Sequence, residues 1–247
     1  MIDLRKHITM NTQNRNGSVL LKVLIAVGIV LLIFAFMSPG IRNTSEVRRR
    51  VSFHNNLRLL TFALHNYHDT YGSFPPAYTM DEQGNRLHSW RTLILPYLEE
   101  KELYDAIDLT KPWDDPANAF ALRKPILSYQ SLSPETELHE TTILGIAVKG
   151  GIFSTSNPVS LDQVTDDHAR TLIAIEVPLE YAVPWMQPTD ADENILKSIS
   201  PEANFAFRGM VHTLLVNGSC YNIGLNQSTN TILQMATYAG GEESEND

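Results

Sequence analysis

Asp190, Asp192 and Asn194 stand in the order of the first three ligands of a calcium loop, in which oxygens on alternate residues converge on one ion. The pattern stops there. Ile195 occupies the place of the glycine that turns such a loop, and Pro201 that of its bidentate glutamate. Asp114 and Asp115 are a second pair of calcium candidates, although Asp115 also reads as a helix cap with Pro116 at the first helical position. His65 and His68 are three apart, share a helix face and sit beside Asp69. With His54 and His88 they have metal-ligand chemistry, but no further ligand follows at the spacing zinc requires. Cys220 and His212 have the chemistry of a nucleophile and a base, yet a hairpin around Asn217-Gly218 puts them on paired strands with no third group to orient the imidazole. A buried strand cysteine is expected instead. Ser219 lies in Asn-Gly-Ser rather than in a nucleophile elbow, and no glycine-rich phosphate loop opens a helix. The chain is therefore not expected to be an enzyme, and calcium at these aspartates is the one cofactor its residues suggest.

The elements that carry these residues follow from one stretch. Val19 to Met37 is apolar on every face of a helix, and at about 1.5 Å per residue it nearly covers the roughly 30 Å hydrocarbon core of a bilayer. Its one charge, Lys22, lies near the start, where its amine can snorkel to the headgroups. The net charge of -9 is uneven: residues 1–50 carry eight Lys/Arg against Asp3 and Glu46, or +6, which leaves -15 for the rest of the 247 residues. Basic flanks suit anionic lipid, and the acidic remainder argues against nucleic acid as a partner. The single cysteine excludes an intramolecular disulfide.

Residues 1–17 read as a leader or short cytoplasmic tail, and 18–72 as one N-terminal helix. That helix spans the membrane over about 19–37, bends at Pro39 and Gly40, and is amphipathic over 41–71. Phe53, Leu57, Leu60, Leu64, Tyr67 and Tyr71 recur at spacings of four and three and form its apolar stripe. Gly72 to Pro76 ends it. Residues 73–238 form an α+β domain, with a short helix or strand over Trp90–Leu98 and strands over 142–154, 171–177 and 211–225. Trp90, Trp113 and Trp185 are expected to pin proline-bounded loops to the sheet. An acidic tail, 239–247, is expected to be disordered.

The order of motifs resembles bacterial proteins that carry a prepilin-type N-terminal segment followed by the domain of unknown function 1559, related in architecture to type II secretion pseudopilins. Asn55-Asn56-Leu57-Arg58, Ala63 to Asp69 and Tyr71 to Pro76 carry the match, with Ser89-Trp90-Arg91, Leu95 to Glu99, Pro112 to Asp115, Val183-Pro184-Trp185, Asn217-Gly218-Ser219 and Gly240-Gly241-Glu242. The resemblance implies a pilin-like fold, a long N-terminal helix packed on an antiparallel β-sheet. It also implies a single-pass protein of the bacterial inner membrane with its C-terminal domain outside the cytoplasm. Gly17 and Ser18 align with the leader cleavage site, with Ser18 where the family has phenylalanine. Lys22 stands where assembling pilins have the glutamate that meets a neighbouring N-terminus, so that contact would lack its carboxylate. The expected role is a structural or assembly subunit of the cell envelope, meeting the bilayer through Val19 to Met37 and like subunits beside it. The alternatives are a tethered, non-polymerising binding module for a protein, glycan or calcium ligand, and an envelope enzyme.

Overall fold

A computed structural model describes residues 5–153, 157–207, 209–226 and 229–239, with side chains throughout except at 5–18, 35–45 and 229. The chain divides into two units, Met1–Arg49 and Arg50–Asp247. Helix α1, Arg5–Tyr71, supplies the first unit and opens the second.

In the first unit α1 begins at Arg5, inside the stretch read as a leader, and helical backbone continues through Pro39 and Gly40. Side chains of the apolar stretch are exposed on all sides, Leu20 at 65%, Leu24 at 61% and Phe34 at 75%. Among the described residues no helix is long and apolar enough to cross a membrane. The side chains of Ala35 to Met37, which complete the predicted span, lie outside those described, as does the acidic tail from Gly240 onward. Gly17 and Ser18 precede the first described side chain, Val19.

The second unit is α+β. After α1 come β1 (Tyr78–Met80), β2 (Arg86–Ser89), α2 (Trp90–Leu93), α3 (Lys101–Asp105), α4 (Ala119–Leu122), β3 (Glu140–Thr141) and β4 (Ile143–Gly145). Then follow β5 (Leu172–Glu176), β6 (Val183–Pro184), α5 (Glu193–Lys197), β7 (Met210–Leu215), β8 (Cys220–Gly224) and α6 (Thr229–Met235). The main sheet is antiparallel, in the order β4-β5-β7-β8, with two-stranded antiparallel pairs β1-β2 and β3-β6 beside it.

Both faces of the main sheet are covered. Phe53, Leu57, Leu60 and Leu64 of α1 share one core with Ile143, Ile173, Leu214 and Val216, so the predicted stripe is buried where the sheet meets it. Leu144, Leu172, Ile175, Val211 and Ile223 point the other way, into a second core with Leu196 of α5 and Ile232 of α6. Alternation along β4 and β7 assigns each residue its side, as the two-residue period requires, whereas in β5 an irregularity in register between Leu172 and Ala174 lets Leu172 and Ile175, three apart, face the same core. Tyr71, expected on the buried stripe, is 64% exposed. The helix stops one residue later, at Gly72, whose φ of 78° and N–H to the His68 carbonyl (2.7 Å) form a left-handed cap, and Tyr71 packs against the Tyr67 ring (4.4 Å between centroids).

The hairpin at Asn217-Gly218 joins β7 to β8, with Gly218 at φ 86° and Leu214 opposite Cys220. The strand expected over 142–154 is much shorter. After Gly145 the chain doubles back, Phe153 N–H bonding the Ile146 carbonyl (2.9 Å), and a Cβ on Gly151 would lie 2.6 Å from that same oxygen. The short helix expected near Trp90–Leu98 is present as α2 followed by a 3-10 turn, Leu95–Tyr97.

Candidate functional site

The segment Ser89-Trp90-Arg91 turns from strand to helix. Ser89 is extended and ends β2, Trp90 N–H bonds the Ala77 carbonyl (3.1 Å), and both Trp90 and Arg91 are fully buried. A buried guanidinium must find acceptors for a rigid fork of five N–H groups. Arg91 does so chiefly on one loop, with a longer contact from Nη1 to the Ile143 carbonyl of β4 (3.4 Å). Its Nε donates to the Trp185 carbonyl (2.9 Å), its Nη2 to those of Gln187 (2.8 Å) and Thr189 (3.0 Å), and its Nη1 to Asp190 Oδ1 (3.0 Å). The same Asp190 oxygen accepts from Trp90 Nε1 (2.9 Å) and from the Gly145 N–H (2.8 Å). Burial pushes the Asp190 carboxyl up from the ordinary carboxylate range, while the Arg91 charge and these N–H donors pull it back down.

Beside this pair lies a cleft of about 300 Å³, lined in part by Tyr78, Arg86, Phe153, Asp190 and Asp192. Phe153 stacks on Trp90 with centroids 4.9 Å apart and planes 16° apart. The guanidinium of Arg86 lies 4.1 Å over the Tyr78 ring, and its Nη1 donates to the Pro188 carbonyl (3.3 Å). Asp192 Oδ1 caps α5 by accepting from Ile195 N–H (2.9 Å).

Of the calcium candidates, Asp190 and Asp192 share this cleft, and Asp114 and Asp115 are not part of its lining. Asp115 caps a 3-10 turn, Pro116–Asn118, by accepting from Ala117 N–H (2.8 Å), as its place before a proline suggests. Among the described residues no group of three His, Cys, Asp or Glu is arranged to hold a metal. His65 and His68 both pack on Phe74, at 5.7 and 5.2 Å, and His68 Nε2 accepts from Leu161 N–H (3.1 Å), so this pair fixes loops to α1. His88 is fully buried in β2. Trp90 and Trp185 pin loops, Trp185 by stacking on Tyr129 and donating to the Lys124 carbonyl (3.1 Å).

His212 and Cys220 are held apart in role. His212 Nδ1 bonds Glu176 Oε2 (2.6 Å), a fully buried carboxyl that burial pushes up and the His212 contacts pull down. Cys220 sits across from Leu214, 3.9 Å from Thr61 Oγ1, with its thiol pushed up by burial. Spacing does not single out Arg91 or Arg86, because the groups that accept their hydrogen bonds are about a hundred positions away in the chain, 99 from Arg91 to Asp190 and 102 from Arg86 to Pro188. The only local signal was Ser89-Trp90-Arg91 itself.

A family model described as a protein of unknown function (DUF1559) matches residues 45–231. The chain belongs to that family. No curated protein and no solved structure matches it. The DUF1559 match runs from the later part of α1 into α6 and contains the Arg91–Asp190 pair and every cleft residue named above.

Proposed function

We propose that this DUF1559 chain is a single-pass, membrane-anchored subunit of the bacterial cell envelope, with its acidic unit outside the cytoplasm and a degenerate pseudopilin-like build. The observation that carries the reading is the exposure of Val19 to Phe34 on all sides of α1, an apolar surface that water solvates poorly at about 25 cal/mol per Å². Lipid is the cover that suits such a surface, and the +6 charge of residues 1–50 suits its headgroups. Packing of the later turns of α1 on an antiparallel sheet supports the pilin-like part of the reading. Lys22, exposed on α1, sets the chain apart from pilins that pair a glutamate with a neighbour's N-terminus.

The test is the mass and membrane partition of the full chain in a bacterial host, for wild type and Gly17→Ala. Wild type lacking residues 1–17 and a variant that keeps them, both in the membrane fraction, is the expected result. Equal masses would remove the pseudopilin-like processing, and recovery in the soluble fraction would remove the anchor.

A further inference from the structure

The main sheet has one covered edge and one open edge. Beyond β4 the chain returns and continues the ladder, Ala191 N–H bonding the Gly145 carbonyl (2.8 Å) and Ala147 N–H the Ala191 carbonyl (2.9 Å). Beyond β8, among the described residues, no strand follows. The hairpin fixes which groups are left over. Leu215 N–H bonds the Ser219 carbonyl (2.9 Å), so Tyr221 and Ile223 turn their N–H and C=O groups toward β7, and Cys220, Asn222 and Gly224 turn theirs outward. Sheet edges are ordinarily blunted by a charge, a proline or a bulge. Cys220–Gly224 has no charge and no proline, and it pairs with β7 in unbroken register.

The two sides of this edge restrict the strand it accepts. On the α1 side, Thr61 Oγ1 lies 3.9 Å from Cys220 Sγ, and Arg58, one turn earlier on α1 and exposed, acts with its charge on the same thiol. A carboxylate on that side of an added strand would meet the guanidinium. On the other side Ile223 enters the second core, and Tyr221, which shares its direction, is 48% exposed. An apolar side chain there would cover the ring. A second copy that offered its own β8 would bring no carboxylate to Arg58, because the strand has none.

We propose that β8 docks, by strand addition, an extended segment of another protein in which acidic and apolar side chains alternate, the acidic ones toward Arg58 and the apolar ones toward Tyr221. The assignment goes beyond the anchored-subunit reading, and its test does not depend on where the chain resides.

The test uses the full chain in detergent micelles with two acetylated hexapeptides, one alternating Glu and Val, the other Lys and Val. Binding is read by fluorescence titration of labelled peptide and by amide hydrogen exchange over residues 220–224. Arg58→Glu and Asn222→Pro serve as variants, because Arg58 is exposed and Asn222 turns its N–H away from β7. Saturable binding of the Glu peptide is expected, with slower exchange over 220–224 and a loss of about tenfold in Asn222→Pro, which removes one hydrogen bond to the peptide. Arg58→Glu should switch the preference to the Lys peptide, a gain that loss of fold cannot produce. Equal binding of both peptides by wild type, no binding of the Glu peptide, or unchanged exchange over 220–224 would each overturn the proposal. Exchange that slows with chain concentration in the absence of peptide would also overturn it, in favour of a second copy on β8.

Discussion

Arg91 Nη1 and Asp190 Oδ1 lie 3.0 Å apart with both side chains out of solvent, and this contact joins α2 to the loop that carries one wall of the cleft. Removing one member of a buried pair leaves the other charged, desolvated and alone. Asp190→Ala and Arg91→Met are each expected to cost about 3–5 kcal/mol in urea unfolding. The exposed i,i+4 pair Lys101–Asp105 is the contrast: Asp105→Ala should leave the urea midpoint where it is. Equal effects for the two pairs would contradict the role given to Arg91.

Gly145 is the second support of that pair. Besides donating its N–H to Asp190, it leaves room for Phe153, whose Cδ2 would be 2.3 Å from a Cβ added there. Gly145→Ala should therefore cost about 1–3 kcal/mol through overpacking, and Phe153→Leu in the same chain should recover part of it. A Gly145→Ala chain as stable as wild type would show that the ring moves without penalty.

The contrast between what was legible and what was not is physical. The α1 stripe, the Asn217-Gly218 hairpin and the Asp115 cap were readable because each depends on residues within a few positions. Asp190 and Asp192 were readable as alternate oxygen donors of one loop, and they do line one cleft. Their partners were not readable. Asp190 meets Arg91 across 99 positions, and nothing beside Arg91 in the chain shows that its guanidinium is buried. The early end of strand β4 was missed because Gly145, Gly150 and Gly151 matter through close approach and turning, which a count of β-branched residues does not register.

His88 gives the chain a pH dependence of known sign. Its ring is fully buried, neither ring nitrogen makes a hydrogen bond, and burial holds its pKa below the ordinary 6.5, opposed by the nearby backbone of Asp108 and Lys111. The unfolded chain therefore binds more protons than the folded one just below pH 6.5, so stability rises with pH there and is lost as pH falls. His54 and His65, also lowered chiefly by burial, act in the same direction. His88→Leu should flatten the stability profile below pH 6.5 by up to one proton, about 1.4 kcal/mol per pH unit. Parallel profiles for the two chains would exclude His88 as a source.

Calcium is expected to leave the melting temperature of the full chain unchanged, and a chelator likewise. Asp190 Oδ1 already serves three donors, and Asp192 Oδ1 caps α5. Bound calcium at a hundred times its Kd would add about 2.7 kcal/mol. A rise of that size, abolished by Asp192→Asn, would restore the calcium reading of this loop.

The central claim is that Val19 to Met37 holds the chain in a membrane with the unit from Arg50 onward outside the cytoplasm. It is tested most directly by protease digestion of intact and lysed spheroplasts expressing the full chain, followed by the mass of what remains in the membrane. Intact spheroplasts are expected to lose the acidic unit and keep a short membrane-borne fragment containing Val19 to Met37. A full-length chain that survives until lysis would contradict it.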